Sequence, residues 1–182
     1  LVFKKEGDEL RPVVFKERQT ENSNPASLNL HMLLDISGSM RTNFEAYKKK
    51  IKETLQKITA ASKEWTITLT AFNDFSSSKT FSTSNANDLD DLYDFIDELE
   101  AKHGTNLHGT IYDTIQSLNS QQQSSALVVF TDGEDTEKKK TDQQIAEASL
   151  NLRRQNDQFM MFSLGFGKDY KKSYKKNKAS FR

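Results

Sequence analysis

The 182-residue chain contains no cysteine, which excludes disulfides, thiolate metal sites and cysteine nucleophiles. Cysteine-free chains occur in either redox compartment, so localisation stays open on this ground. No apolar stretch approaches the roughly 20 residues that span a bilayer. The longest runs, Leu28–Ile36 and Phe159–Phe166, have the length of strands. There is no Asn-x-Ser/Thr sequon, which weighs against a glycosylated extracellular protein. The opening residues, Leu1-Val2-Phe3-Lys4-Lys5, lack the layout of a signal peptide. With no initiator Met, the chain reads as a piece excised from something longer. Net charge is also absent, 26 basic against 26 acidic side chains, which argues against a nucleic-acid binder held by bulk charge.

That zero is a sum of unequal parts. Residues 1–27 carry five basic and five acidic groups, and residues 168–182 carry seven basic and only Asp169 acidic. The remaining 28–167 hold 14 basic and 20 acidic groups. An acidic body therefore precedes a basic tail. The tail, with Tyr170, Tyr174 and Phe181, reads as a linker or docking helix rather than as a nucleic-acid or membrane anchor.

Segment 1–27 contains both prolines, Pro12 and Pro25, one short strand candidate at Pro12–Lys16 and a polar linker at Gln19–Ser27. From Leu28 the pattern sharpens. Leu28–Ile36 is nearly continuous apolar and suits a central strand buried on both faces. Phe44, Tyr47, Ile51, Leu55 and Ile58 recur at three- and four-residue steps, an amphipathic helix. Trp65–Phe72 alternates with threonines as a strand does, and Lys79–Thr83 is placed as its hairpin partner. Leu89, Leu92, Ile96 and Leu99 predict a second helix capped by Asn87 or Asp88. Ile111, Ile115 and Leu118 predict a third helix, and Ala126–Phe130 a buried strand. Thr141-Asp142-Gln143-Gln144 fits a capping box opening a fourth helix, and Phe159–Leu164 is a last strand. This alternation implies an α/β fold, doubly wound, with a mainly parallel sheet and helices on both faces.

In an open parallel sheet, ligands sit beyond the carboxyl ends of the strands. Three turns rich in oxygen ligands fall there or between helices: Asp35-Ile36-Ser37-Gly38-Ser39, Gly104-Thr105-Asn106 and Thr131-Asp132-Gly133-Glu134-Asp135. Asp35, Ser37 and Ser39 alternate, so an extended start turns their side chains to one side. Hydroxyls and carboxylates without sulfur suit Mg²⁺ or Mn²⁺, which take about six oxygens. Read alone, Ser-Gly-Ser is also a common flexible turn.

These three motifs resemble the metal-ion-dependent adhesion site of the von Willebrand factor type A domain, and the resemblance covers about Leu28 to Gly167. It implies that Ser37 and Ser39 ligate a metal through their hydroxyls and that Thr105 binds directly or through water. Asp35 and Asp132 would stand mostly behind water. The implied cofactor is Mg²⁺ or Mn²⁺, with Ca²⁺ as the other candidate. The implied partner is a protein offering an Asp or Glu carboxylate to the open coordination position. The implied function is therefore a non-enzymatic, divalent-metal-dependent protein-binding module. The family adds a sixth strand and a closing helix after the fifth strand, where this chain has only its basic tail.

The expected division is thus an N-terminal segment 1–27, a type A domain 28–167 and a tail 168–182. Two alternatives stand beside this reading. One is a metal-dependent, phosphatase-like hydrolase using Asp35, although such enzymes want a second carboxylate two residues on, where this chain has Ser37. The other is a structural scaffold with an unused site. Glu134 and Asp135 are expected as solvated loop carboxylates, Asn73 and Asp74 as a hairpin turn, and His31 as a hydrogen-bonded core histidine. His103 and His108 flank the Gly104-Thr105 turn without forming a zinc pair. The acidic run from Asp88 to Glu100 is expected as an exposed helix face.

Overall fold

A computed structural model describes residues 2–6, 9–13, 28–61, 64–119, 124–132 and 135–165. Strands β1 (Val2–Glu6) and β2 (Glu9–Val13) form an antiparallel hairpin of their own. The strand expected at Pro12–Lys16 thus begins earlier, and its last three residues lie outside the described set, as do the linker 19–27 and the tail 168–182. Pro12 is tolerated because, among the described residues, β2 pairs only with β1, leaving an edge that needs no N–H donor.

The body is a five-stranded sheet in the order β5-β4-β3-β6-β7. Its strands are β3 (Leu28–Asp35), β4 (Trp65–Phe72), β5 (Ser76–Ser82), β6 (Ser125–Thr131) and β7 (Met160–Gly165). All pairs are parallel except β4–β5, which is the expected hairpin. It starts at Ser76 rather than Lys79, because exposed serines facing β4 threonines pair as well as apolar residues do: Thr70 and Ser78 hydroxyls meet at 2.8 Å.

Side-chain alternation along β3 sorts the core into two layers. Leu30, Met32 and Leu34 face helices α1 (Phe44–Ala61) and α2 (Ala86–Asp97), packing with Phe44, Tyr47, Ile51, Leu92 and Ile96. Leu33 faces α3 (Leu107–Leu118) and α4 (Asp142–Gln155), packing with Ile111, Ile115, Ala148 and Leu152. A central strand with apolar residues on both faces requires a helix layer on each, which is why β3 is nearly continuous apolar. Lys48 of α1, almost fully buried, donates to the carbonyls of Asp97 (3.1 Å) and Leu99 (3.3 Å). Its ammonium satisfies the otherwise unpaired carboxyl end of α2 and opposes the helix dipole.

The expected capping box of α4 is present, with Gln144 N donating to Thr141 Oγ1 at 3.2 Å and Thr141 N to Gln144 Oε1 at 2.9 Å. Two helix starts differ from expectation. The cap of α2 is Asn85, whose side chain accepts from Asn87 N, while Asp88 instead accepts from Ser82 N. Helix α3 starts at Leu107, four residues before its first expected apolar position, because the turn preceding it is anchored by backbone bonds. The acidic run is the exposed face of α2 and its exit, with Asp90, Asp91, Asp94, Asp97, Glu98 and Glu100 all exposed. Among the described residues no strand or helix follows β7, and no helix is long and apolar enough to cross a membrane.

Candidate functional site

The chain enters the sheet at β3, builds outward through β4 and β5, then returns to the other side of β3 with β6 and β7. The connections leaving β3 and β6 therefore diverge, opening a crevice at their carboxyl ends. The register places Leu34 opposite Phe130, so Asp35 and Thr131 end their strands side by side.

Asp35 is wholly buried and its two oxygens are both engaged. One accepts from Ser37 N at 2.9 Å and the other from Thr131 Oγ1 at 2.7 Å. The first bond folds the loop back so that the Ser37 and Ser39 hydroxyls stand 3.0 Å apart. Ser37 is buried and Ser39 exposed, so this hydroxyl pair runs from the protein interior to solvent. Burial raises the Asp35 pKa, and the nearby Asp132 charge raises it further, against the lowering effect of the Ser37 and Thr131 bonds. Tyr47, fully buried beneath, is pushed well above the ordinary tyrosine value by burial and then by Asp35. Its hydroxyl donates to Phe130 O at 3.4 Å and stays protonated.

The second loop is bound to the first through backbone. Gly38 N donates to His103 O at 2.9 Å, and Lys102 N to Ile36 O at 2.9 Å. His103 adopts a left-handed backbone, φ 69°, a conformation that His tolerates better than most residues. A Cβ on Gly38 would come within 3.2 Å of that same His103 carbonyl, so glycine lets the two loops approach. Thr105, almost fully buried, is clamped on both sides by Thr136: its N–H donates to Thr136 Oγ1 at 2.8 Å and its carbonyl accepts from Thr136 N at 3.0 Å. Gly104 matters for a similar reason, since a Cβ there would collide with Asp74 Oδ1 and lie 3.0 Å from Thr136 Oγ1.

Of the five residues expected from sequence, Asp35, Ser37 and Ser39 form one bonded unit. Asp132 acts on Asp35 through its charge, and its buried Oδ1 has no hydrogen-bond partner among the described residues. Thr105 lies on a segment tied to that unit through His103 and Gly38. Among the described residues no group of three or more His, Asp or Glu converges as a metal cage, so any cation here would rely on hydroxyl oxygens.

The solvated reading of Asp135 is corrected. Its side chain is only 5% exposed, with Oδ2 3.0 Å from His108 Nδ1, while His108 Nε2 lies 3.2 Å from Asp142 Oδ1. The Asp135 contact is close but poorly aligned, because Nδ1 directs its hydrogen bond at Lys140 O, 3.1 Å away. Glu134 and Gly133 lie outside the described residues. Asn73 and Asp74 do form the β4–β5 turn, with Phe75 N donating to Asn73 Oδ1 at 2.9 Å. His31 is half-buried within β3, and burial lowers its pKa.

A family model for the von Willebrand factor type A domain matches residues 29–180. The chain belongs to the von Willebrand factor type A domain family. Solved structures agree on the fold. A von Willebrand factor type A protein from Catenulispora acidiphila superposes with TM-score 0.59 at 17% identity over 78% of this chain and 33% of its own. The manganese-loaded TRAP protein of Plasmodium vivax gives TM-score 0.56 at 14% identity, over 86% of this chain and 64% of that one. The pilus adhesin SpaC from Lactobacillus rhamnosus GG, in an open conformation, gives 0.55 at 20%, over 63% of this chain and 16% of its own. The type A chain described here thus spans a third of the Catenulispora protein and a smaller part of the adhesin. A search of curated protein sequences finds no match.

Sequence reasoning missed Thr131 as the second donor to Asp35 and Thr136 as the clamp on Thr105. The signal for the first was present, a hydroxyl at the end of a strand paired in register with β3. Nothing local marks Thr136, whose role comes from a loop 31 residues away.

Proposed function

We propose that this type A domain is a divalent-metal-dependent protein-binding module that uses an adhesion-site metal to take a carboxylate from its partner. In this reading Ser37, Ser39 and Thr105 hold Mg²⁺ or Mn²⁺ through hydroxyl oxygens. Asp35 and Asp132 stand behind metal-bound water, orienting it and the serines. The observation that carries the reading is the electrostatics of the crevice. Burial, and then the neighbouring Asp132 charge, raise the cost of ionising Asp35, and no Lys, Arg or His among the described residues pairs with either carboxylate. Buried charge without a counter-charge is costly, and buried acceptors such as Asp132 Oδ1 call for a donor, a water or a cation. A hard dication meets both demands, and oxygen-only ligands suit it.

The manganese-loaded relative and the pilus adhesin support metal and adhesion respectively as properties this fold can carry. The metal, when bound, supplies positive charge that indirect carboxylates leave under-neutralised, so an anionic group from a partner is attracted to it. The chain's own contribution is to lock the donors: Ser37 N and Thr131 fix the Asp35 carboxylate, and Thr136 fixes Thr105. The phosphatase-like alternative asks Asp35 to attack a substrate. A side chain with no exposed surface and both oxygens committed is poorly suited to that role.

The test is calorimetric titration with MnCl₂ and MgCl₂ of the wild type, Asp35→Ala and Ser37→Ala. Saturable one-site binding in the wild type that both variants lose is expected. Equal heats in all three proteins, or turnover of phosphomonoesters lost on Asp35→Asn, would overturn it.

A further inference from the structure

The loop between β6 and α4 meets α3 through a histidine and two carboxylates, none of them part of the proposed metal site. His108, in the first turn of α3, points both ring nitrogens at oxygen. Nδ1 donates to Lys140 O at 3.1 Å and lies 3.0 Å from Asp135 Oδ2, while Nε2 lies 3.2 Å from Asp142 Oδ1. A carbonyl and two ionised carboxylates only accept hydrogen bonds. Neutral imidazole has a single N–H and would turn a lone pair towards one of them, whereas imidazolium has a hydrogen on each nitrogen. The surroundings are those of the charged ring.

Asp135 depends on that charge more than Asp142 does. The Asp142 side chain is 87% exposed and keeps its water. That of Asp135 is 5% exposed, and neither of its oxygens has a hydrogen-bond partner among the described residues. The neighbouring cations are engaged elsewhere: Lys140 Nζ lies over the Tyr112 ring at 4.1 Å, and Lys139 pairs with Glu137 at 3.4 Å. The positive end of the α3 dipole opposes the charge on His108, so the two carboxylates are what favours it. Loss of the ring proton leaves Asp135 a buried charge without a counter-charge, which is costly.

That cost falls on Thr105. Asp135 precedes Thr136, and Thr136 N and Glu137 N both donate to Thr105 O, at 3.0 and 3.2 Å. Thr105 N donates in return to Thr136 Oγ1 at 2.8 Å. The next residue, Lys138, has a left-handed backbone, φ 50°, which a lysine adopts only at a cost. A loop carrying such strain stays closed only while its contacts outweigh it. On α3 those contacts are His108 and, one turn further along, Tyr112 beneath Lys140.

We propose that His108 is a positioning residue for Thr105 and a pH-sensitive latch, its imidazolium holding the 135–142 loop on α3 and its deprotonation freeing that loop and the Thr105 turn together. The latch itself needs no metal. Its effect on a cation held by Thr105 rests on the proposed function.

The test is amide hydrogen exchange of the ¹⁵N-labelled chain in EDTA from pH 5 to 8, the interval in which histidines change charge. Protection is corrected for the intrinsic pH dependence of exchange. The Thr136 and Glu137 amides should lose about tenfold in protection as the His108 ring signals titrate, while amides of β3 and β6 keep theirs. His108→Gln should show the low protection at every pH. Asp135→Asn should show the high protection at every pH, since a neutral amide needs no counter-charge. Adding Asp135→Asn to His108→Gln should restore protection, a rescue that a purely structural histidine would not give. Titration of His108 without change at Thr136 and Glu137 overturns the inference from the wild type alone, whether or not the variants fold. A pH dependence that survives Asp135→Asn also overturns it. Because no metal is present, either failure leaves the proposed function standing.

Discussion

Replacing Asp35 by Asn removes a charge while keeping the shape of a wholly buried side chain. Both existing hydrogen bonds survive in outline: the amide oxygen accepts from Ser37 N, and the amide nitrogen donates to the Thr131 hydroxyl. What disappears is the burial cost of an ionised carboxylate, aggravated by Asp132. That cost is several kcal/mol for a buried ion, and two charge-assisted bonds return about 1.5–3 kcal/mol each, so the balance is small. Because burial dominates and raises the Asp35 pKa, the balance falls on the unfavourable side. The metal-free variant should therefore be more stable than the wild type at neutral pH, by about 1–2 kcal/mol or roughly 2–8 °C in Tm for a domain of this size. A carboxyl group whose folded-state pKa lies above its unfolded value loses stability as pH rises through that interval. The advantage of Asn should accordingly be full at neutral pH and fade as the solution is acidified towards the ordinary aspartate range. In millimolar Mg²⁺ the order reverses, since only the wild type gains from binding. The assay is urea and thermal unfolding in EDTA and in Mg²⁺ across this pH range. A variant less stable than the wild type in EDTA, or an equal gain from metal in both proteins, would refute the reasoning.

Thr131→Val keeps volume but removes the donor to Asp35 Oδ2. It should cost about 1–3 kcal/mol in urea unfolding and weaken Mn²⁺ binding measured by calorimetry. Gly104→Ala drives a methyl group against Asp74 and Thr136. The Thr105 loop must shift, with a stability loss of about 1–3 kcal/mol by the same unfolding assay and a drop in metal affinity.

The sheet and its helices could be read from the chain because their causes are local and repetitive. Leu28–Asp35 carries apolar residues on both faces, Leu33 on one and Leu30, Met32 and Leu34 on the other, since it lies between two helix layers, and the Thr141–Gln144 box names its own helix start. The β1–β2 hairpin escaped because Lys4, Lys5, Glu6, Glu9 and Arg11 interrupt any apolar alternation. In the site, the Asp35-to-Ser39 loop was recognisable because its alternation and its bond to Ser37 N are short-range. Asp135 was misjudged for the opposite reason. A carboxylate in a polar loop looks solvated until His108, 27 residues earlier, is folded against it. Asp74 and Gly104 pose the same problem, since neither residue type reveals that the carboxylate occupies the space a side chain would fill.

The central claim is that hydroxyls from separate loops close on one cation, and crystals grown in MnCl₂ test it most directly. An anomalous-difference map should show one peak at the carboxyl ends of β3 and β6, with Ser37 Oγ and Ser39 Oγ at about 2.1 Å, Thr105 beside it, and Asp35 and Asp132 reached through water. A map with no peak there, or with manganese bound elsewhere while Ser37 and Ser39 bond only to each other, would contradict the account.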